Sequence, residues 1–228
     1  MSDAASLQGG AARRAQNYFL LSRLIHEPPA SGLLAEIAAL PALAGEDAAL
    51  ALDLAELRQA AAGSARDPER IISLAVDFTR FLGGLSERGG APPIESVARE
   101  SRLLGDAAAA VAVAYTGAGF PEPLPEAGPP DHLATELRFL ALCCYEEAEA
   151  WKREDRAAAL AWLDRESAFL NDHLGAWAPD YCQQLAQRAQ DGFYAIVAGL
   201  IARACALDRE GLTAILRDAN RPAHAGQG

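Results

Sequence analysis

The 228-residue sequence predicts an all-α fold, a two-lobed helical bundle with a larger N-terminal lobe, a smaller C-terminal lobe and a proline-rich hinge between them. Three observations carry this. Apolar residues recur at helical spacing through segment after segment. β-Branched residues are sparse and period-2 alternation never persists, so strands have no support. Proline and glycine clusters fall at helix-length intervals, the densest being "GFPEPLPEAGPP", with five prolines between 121 and 130. Hydrophobic residues form 51% of the chain, enough for a sizeable core and unlike a disordered or collagen-like polymer.

Taken in order, residues 1–12 are expected as a tail and the N-terminal lobe as 13–118. Its first helix lies in "ARRAQNYFLLSRLIHEPP", where Tyr18, Leu21 and Ile25 share a face and Pro28–Pro29 end the run. Arg13–Arg14 ahead of apolar residues imitates an export signal, but Ser22, Arg23 and His26 interrupt the uninterrupted apolar stretch that a signal requires. A short helix over about 32–39 and a third from about 46 to Gly63 follow. The best-punctuated helix is "RDPERIISLAVDFTRFLGG": Asp67 can cap it, Pro68 suits its first position, and Gly83 can supply a left-handed end. Between those ends Ile71, Leu74, Phe78 and Phe81 keep one side apolar.

After a glycine-rich loop, "IESVARESRLLGDAAAAVAVAYTGAG" reads as one or two helices with a break near Gly105. The hinge occupies 119–130, and the C-terminal lobe 131–218 holds helices over about 131–152, 155–174, 179–206 and 208–218. Residues 219–228 are expected as a second tail. Tyr18, Phe78, Phe81, Leu137, Leu140 and Trp177 are expected in the core, and the hinge suggests a monomer with a minor dimer formed by exchange of lobes.

The net charge is −11, with both signs spread along the chain. That speaks against nucleic acid and anionic membranes and is compatible with a basic partner. No stretch approaches the length of a membrane span, so a cytoplasmic protein is expected. Cys143, Cys144, Cys182 and Cys205 lack zinc-site spacing and read as buried free thiols. The glycine pairs near 83–90 lack the ending of a phosphate-binding loop, and no Gly-x-Ser-x-Gly elbow exists for a hydrolase triad.

The stretch "GPPDHLATELRFL" (128–140) holds the residues richest in chemistry. Asp131 after two prolines reads as the cap of the helix that follows, its carboxylate accepting backbone N–H groups. His132 in a first helical turn is then held neutral by the dipole. His132 and Glu136 are four apart, as two metal ligands can be, but His26, His173 and His224 lie in unrelated contexts, so no metal is expected. Leu133, Leu137, Leu140 and Cys144 form a buried stripe, which leaves His132, Glu136 and Phe139 as the wall of a groove with an acidic rim.

The order of several short motifs resembles the TorD/DmsD/NarJ family of redox-enzyme maturation chaperones. The matching positions are Phe78, Arg80, Phe81 and Gly83; Pro92, Pro93, Glu95 and Ser96; Arg102, Leu103, Leu104 and Gly105; Tyr115; and Asp131, His132, Glu136, Leu137 and Phe139. Phe169, His173, Leu174 and Trp177 also fit its C-terminal lobe, so the resemblance covers about residues 70–205. Ile94 stands where the family has an aromatic residue and Leu140 where methionine is common.

The resemblance implies an all-helical protein that is not an enzyme. It would bind the apo catalytic subunit of a molybdenum or tungsten oxidoreductase, through its twin-arginine leader, and delay export until the cofactor is inserted. The leader-binding residues so implied are Asp131, His132, Glu136, Glu95, Ser96, Tyr115 and Phe139. An acidic groove with apolar walls suits such a leader. Some members are linked to guanine nucleotides or a molybdenum cofactor, for which no residue set stands out here, and no bound cofactor is expected. Rival readings are a NarJ-like assembly factor for a nitrate reductase subunit that is not exported, a metal-dependent hydrolase using His132, Glu136 and Asp131, and a helical scaffold.

Overall fold

The computed structural model describes residues 4–41, 48–83, 90–190 and 192–219, and among these the regular structure is ten α-helices and one 3-10 turn, with no strand. The helices are α1 (Ala4–His26), α2 (Ser31–Ala38), α3 (Ala48–Ser64), α4 (Pro68–Leu82), α5 (Glu95–Glu100), α6 (Asp106–Gly117), α7 (Leu133–Lys152), α8 (Arg156–Asp172), α9 (Leu174–Ala189) and α10 (Phe193–Ala219). The predicted all-α class is the observed one. No helix among the described residues is long and apolar enough to cross a membrane.

Central to the bundle is α7. Fourteen of its 20 residues are buried, because α1, α8 and α9 pack around it. α1 lies along it through Tyr18, Leu21, Leu24 and Ile25, and Ser22 Oγ donates to the Ala134 carbonyl at 2.7 Å. α10 pairs with α9 and reaches back to α3. The core is continuous from Tyr18 and Leu34 through Leu137 and Phe169 to Tyr194 and Leu212. Of the six expected core residues, Tyr18, Phe81, Leu137, Leu140 and Trp177 are buried, whereas Phe78 is half-buried with its ring 6.3 Å from Tyr194. All four cysteines are buried and free, and burial raises each thiol pKa.

Several local expectations change. α1 begins at Ala4, so residues 4–12 are helical rather than a tail; Ala11, within that stretch, is fully buried. Asp67 caps α4 as expected, accepting from the N–H groups of Glu69 and Arg70 at 3.0 and 3.2 Å. Gly83 ends that helix with a right-handed φ of −74°, and a side chain there would meet the Thr79 carbonyl at 2.6 Å. The break near Gly105 is present: α5 ends at a left-handed Ser101, and the Glu100 carboxylate caps α6 by accepting from the N–H groups of Asp106 and Ala107.

At the C-terminal end the helix expected over 179–206 is divided differently. Pro179 sits inside α9, which starts at Leu174, and the chain turns at Gln190, with φ 46°, before Gly192. α10 then runs unbroken through Asp208, where a new helix start was expected. Asp208 is engaged by Arg14 from α1 instead of capping a helix. The packing also departs from two lobes: α1 lies on α7 across the expected boundary, so the 119–130 segment borders one shared core. Leu124 in that segment is itself buried, with the 3-10 turn Pro125–Ala127 after it. The loop of glycine pairs between Gly83 and Gly90, the 220–228 part of the expected C-terminal tail and His224 lie outside the described residues.

Candidate functional site

Two Pro-Pro segments far apart in sequence meet at the N-terminal end of α7. Pro92–Pro93–Ile94 runs antiparallel to Pro130–Asp131–His132, with a single bridge between Ile94 and His132. Glu95 N–H donates to the Asp131 carbonyl at 2.9 Å, and Leu133 N–H donates to the Pro93 carbonyl at 2.8 Å. Prolines suit both segments because each fixes an extended φ and has no N–H to satisfy where the chain turns.

Asp131 does not cap its own helix. Its Oδ2 accepts from Ser96 N–H at 2.7 Å, so it caps α5, 35 residues upstream. A carboxylate at the positive end of α5 is favoured by that helix's dipole. His132 takes the capping position on α7, its Nδ1 accepting from Ala134 N–H at 3.2 Å. That bond needs a bare ring nitrogen. Burial, with a smaller effect from nearby His26, lowers the His132 pKa to about 4, so the ring is neutral.

Beneath this junction lies a knot of acids. Glu136 is fully buried, and its Oε2 accepts from Trp177 Nε1 at 3.1 Å. Burial, then the neighbouring charge of Glu95, raises its pKa well above the usual carboxylate range. Glu95, also fully buried, is held by the Arg99 guanidinium and by His173 Nδ1 at 3.2 Å. Arg99 donates as well to the Asp172 carbonyl at 3.0 Å. Tyr115 O–H donates to the Pro130 carbonyl at 2.9 Å, while its ring lies 4.7 Å from that of Phe139. Ser96 Oγ, Asp131 Oδ1, Thr135 Oγ1 and Glu136 Oε1 are buried without a partner among the described residues.

The structure therefore gathers Glu95, Ser96, Tyr115, Asp131, His132, Glu136 and Phe139 into one region, but inside the molecule. Only His132 is partly exposed. The expected groove wall with Glu136 on its rim is corrected: α7 is covered on nearly every side, and Glu136 and Phe139 face helices. Arg99, His173 and Trp177 complete the knot. His173 and Trp177 match the family motif and stand four apart, which places them one helical turn from each other. Nothing local in the sequence pairs them with Glu95 or Glu136. Among the described residues no three His, Cys, Asp or Glu side chains are grouped to hold a metal ion.

The acidic groups on the outside are Glu122 and Glu126 of the 119–130 segment. The arrangement clamps two loops. It lines up no nucleophile with a base.

Comparison with known proteins adds to this geometry. Residues 43–183 match the family model described as nitrate reductase delta subunit. Relatives include the chaperone protein TorD of Photobacterium profundum, 29% identical over 138 residues, which are 60% of this chain and 62% of that protein. The chaperone protein TorD of Vibrio parahaemolyticus is 30% identical over 140 residues, 60% of this chain and 63% of its own. The chlorate reductase assembly chaperone protein of Ideonella dechloratans is 45% identical over 56 residues, 25% of this chain and 28% of its own. The chain thus spans less than two thirds of the length of the relatives it matches. No solved structure matches.

Proposed function

Since the chain belongs to the nitrate reductase delta subunit family, we propose that it is an assembly chaperone for the catalytic subunit of a molybdenum or tungsten oxidoreductase. It would act in the cytoplasm, hold the apo subunit until cofactor insertion, and carry out no catalytic step of its own. The names of the relatives, two TorD chaperones and a chlorate reductase assembly chaperone, support this reading. The observation that carries it is the convergence of the family-motif residues on the clamp joining Pro92–Ile94 to Pro130–His132.

The buried knot holds the two loops, and their outer edge meets the client. Exposed Glu122 and Glu126 give that edge, beside half-buried His132, an acidic character suited to a leader peptide with paired arginines. Asp131, Glu95, Ser96, Glu136, Tyr115 and Phe139 then act by positioning the edge. Each surface contact with a client arginine is worth about 0.2–1 kcal/mol. Calorimetry with a twin-arginine leader peptide should show weaker binding in Glu122→Gln/Glu126→Gln, with the difference shrinking at high salt. Unchanged affinity in that double variant, with an unchanged melting temperature, would place the leader elsewhere.

A second reading, assembly of a nitrate reductase subunit that is not exported, is favoured by the family description itself. It predicts capture of a client that lacks paired arginines at its N-terminus. In either case we propose a monomer with a minor dimer as the form in solution.

A further inference from the structure

We propose that Arg99 is an internal stand-in for a client side chain: it occupies a guanidinium site formed by Glu95 and the C-terminal end of α8, and an arginine of the client takes its place. The inference rests on the chaperone reading above and adds a contact apart from the acidic edge.

Three elements build the site. Glu95, the first residue of α5, is fully buried and offers Oε1, while its Oε2 is engaged by His173 Nδ1 at 3.2 Å. Asp172, the last residue of α8, offers its carbonyl. A carbonyl in the last turn of a helix has no donor within that helix and lies at the negative end of the dipole, so a cation suits it. His173 alone joins α8 to α9, and its grip on Glu95 sets that carbonyl beside the buried carboxylate. Arg99 enters from one turn along α5. Its Nη1 donates to Glu95 Oε1 and to the Asp172 carbonyl, the latter at 3.0 Å.

Arg99 fills the site loosely. Its side chain is 43% exposed, and a single nitrogen reaches both acceptors. A guanidinium is held firmly when two of its nitrogens meet two acceptors side by side. An arginine from another chain is free of the one-turn spacing that ties Arg99 to Glu95. It can give one nitrogen to Glu95 and a second to the Asp172 carbonyl. The way in is the path that Arg99 itself takes, since Arg99 and Asp172 are both exposed.

The surroundings favour a positive guest. Glu95 shares the knot with Asp131 and Glu136, whose Oδ1 and Oε1 are buried without a partner among the described residues. Arg99 is the one guanidinium bonded to any of these three carboxyl groups there. Lysine presents a compact charge with no fork, so the paired acceptors select arginine. The stand-in also sets a threshold, because apparent affinity falls with the fraction of molecules whose site is open. While Arg99 is seated, Glu95 positions the edge as described above. Its N–H holds the Asp131 carbonyl, so the exchange takes place at a residue bonded to the Pro130–His132 loop.

The test follows the Arg99 Nε–H signal by NMR in the full chain, assigned by its loss in Arg99→Lys. N-acetyl-argininamide at millimolar concentration and a twin-arginine leader peptide should each move that signal, and N-acetyl-lysinamide should leave it in place. Arg99→Ala opens the site and should bind N-acetyl-argininamide about tenfold more tightly than the parent, the factor that one well-aligned charge-assisted contact provides. A purely structural Arg99 predicts the opposite sign. Should Arg99→Ala fail to fold, Arg99→Lys, a poorer occupant, carries the same expectation. An Arg99 signal unmoved by N-acetyl-argininamide, one moved equally by the lysine probe, or binding no tighter in the folded variant would overturn the site. A leader peptide that binds without moving Arg99 overturns the exchange and leaves the chaperone reading standing. Displacement of Arg99 by N-acetyl-argininamide when no leader peptide binds supports the site and counts against that reading.

Discussion

Glu166 shows how far one side chain can depart from what its position in the sequence suggests. Helical spacing places it on α8 like any surface acid, yet it is buried beside Arg14, with Glu147 and Asp208 sharing the same guanidinium. Cys144 Sγ lies 3.3 Å from its Oε2, and Trp151 Nε1 donates to Glu147 at 2.7 Å. One cation faces three carboxyl groups, and burial raises the pKa of all three, that of Glu166 to about 8. The folded chain therefore keeps a proton on Glu166 that the unfolded chain gives up near its ordinary pKa of 4.5. Stability is full below that value, falls as pH rises, and levels off above about 8. For Glu166→Gln, the unfolding free energy measured by urea titration between about pH 5 and pH 8 should fall less steeply than in the parent, by up to about 1.4 kcal/mol per pH unit. An identical slope would show that Glu166 is ionised in the fold. Arg14, half of a spurious export motif in the sequence, thus reaches two buried carboxyl groups, Glu147 and Glu166. In the same way, Asp131 was recognisable as a cap, but not as the cap of α5. Its partner lies 35 residues away, and local spacing carries no information on that distance.

Among the elements, the start and apolar face of α4 were legible because their signals are local: Asp67, Pro68 and apolar residues that repeat every three to four positions. Asp67→Ala should lower stability by about 1 kcal/mol, measured by urea unfolding, because Glu69 and Arg70 lose their acceptor. No change would mean that solvent serves those N–H groups equally well. The boundaries of α9 and α10 were misread for the converse reason. Pro179 is a strong local signal for a helix start, but tertiary packing of Leu174, Trp177 and Ala178 extends α9 ahead of it. Asp208 looks like a cap and is held inside α10 by a residue of α1. Nor did the periodicity of α7 show that nearly all its sides are covered. A helix bearing Glu136 and Glu147 reads as amphipathic, and its neighbours α1, α8 and α9 become visible only in three dimensions.

For the whole molecule, the helical class and the family motifs were legible because both depend on order along the chain. The division into lobes was not, since prolines at 121–130 mark a loop, and a loop need not separate cores. Here α1 packs against α7 across that boundary and is fastened by Arg14 to helices α7, α8 and α10. The fastening has a thermodynamic signature that belongs to no single helix. Because Glu136, Glu147, Glu166 and Asp208 all hold protons more tightly when buried, forming the native state withdraws hydrogen ions from the surrounding buffer. The heat of unfolding near neutral pH should therefore differ between buffers. Its dependence on buffer ionisation enthalpy should correspond to release of about one proton or more per chain. Scanning calorimetry in phosphate and in an amine buffer at one pH measures it; equal heats would mean that the carboxyl groups are ionised in the fold. The medium in which the protein folds is on this account a reactant, consumed as the helices close.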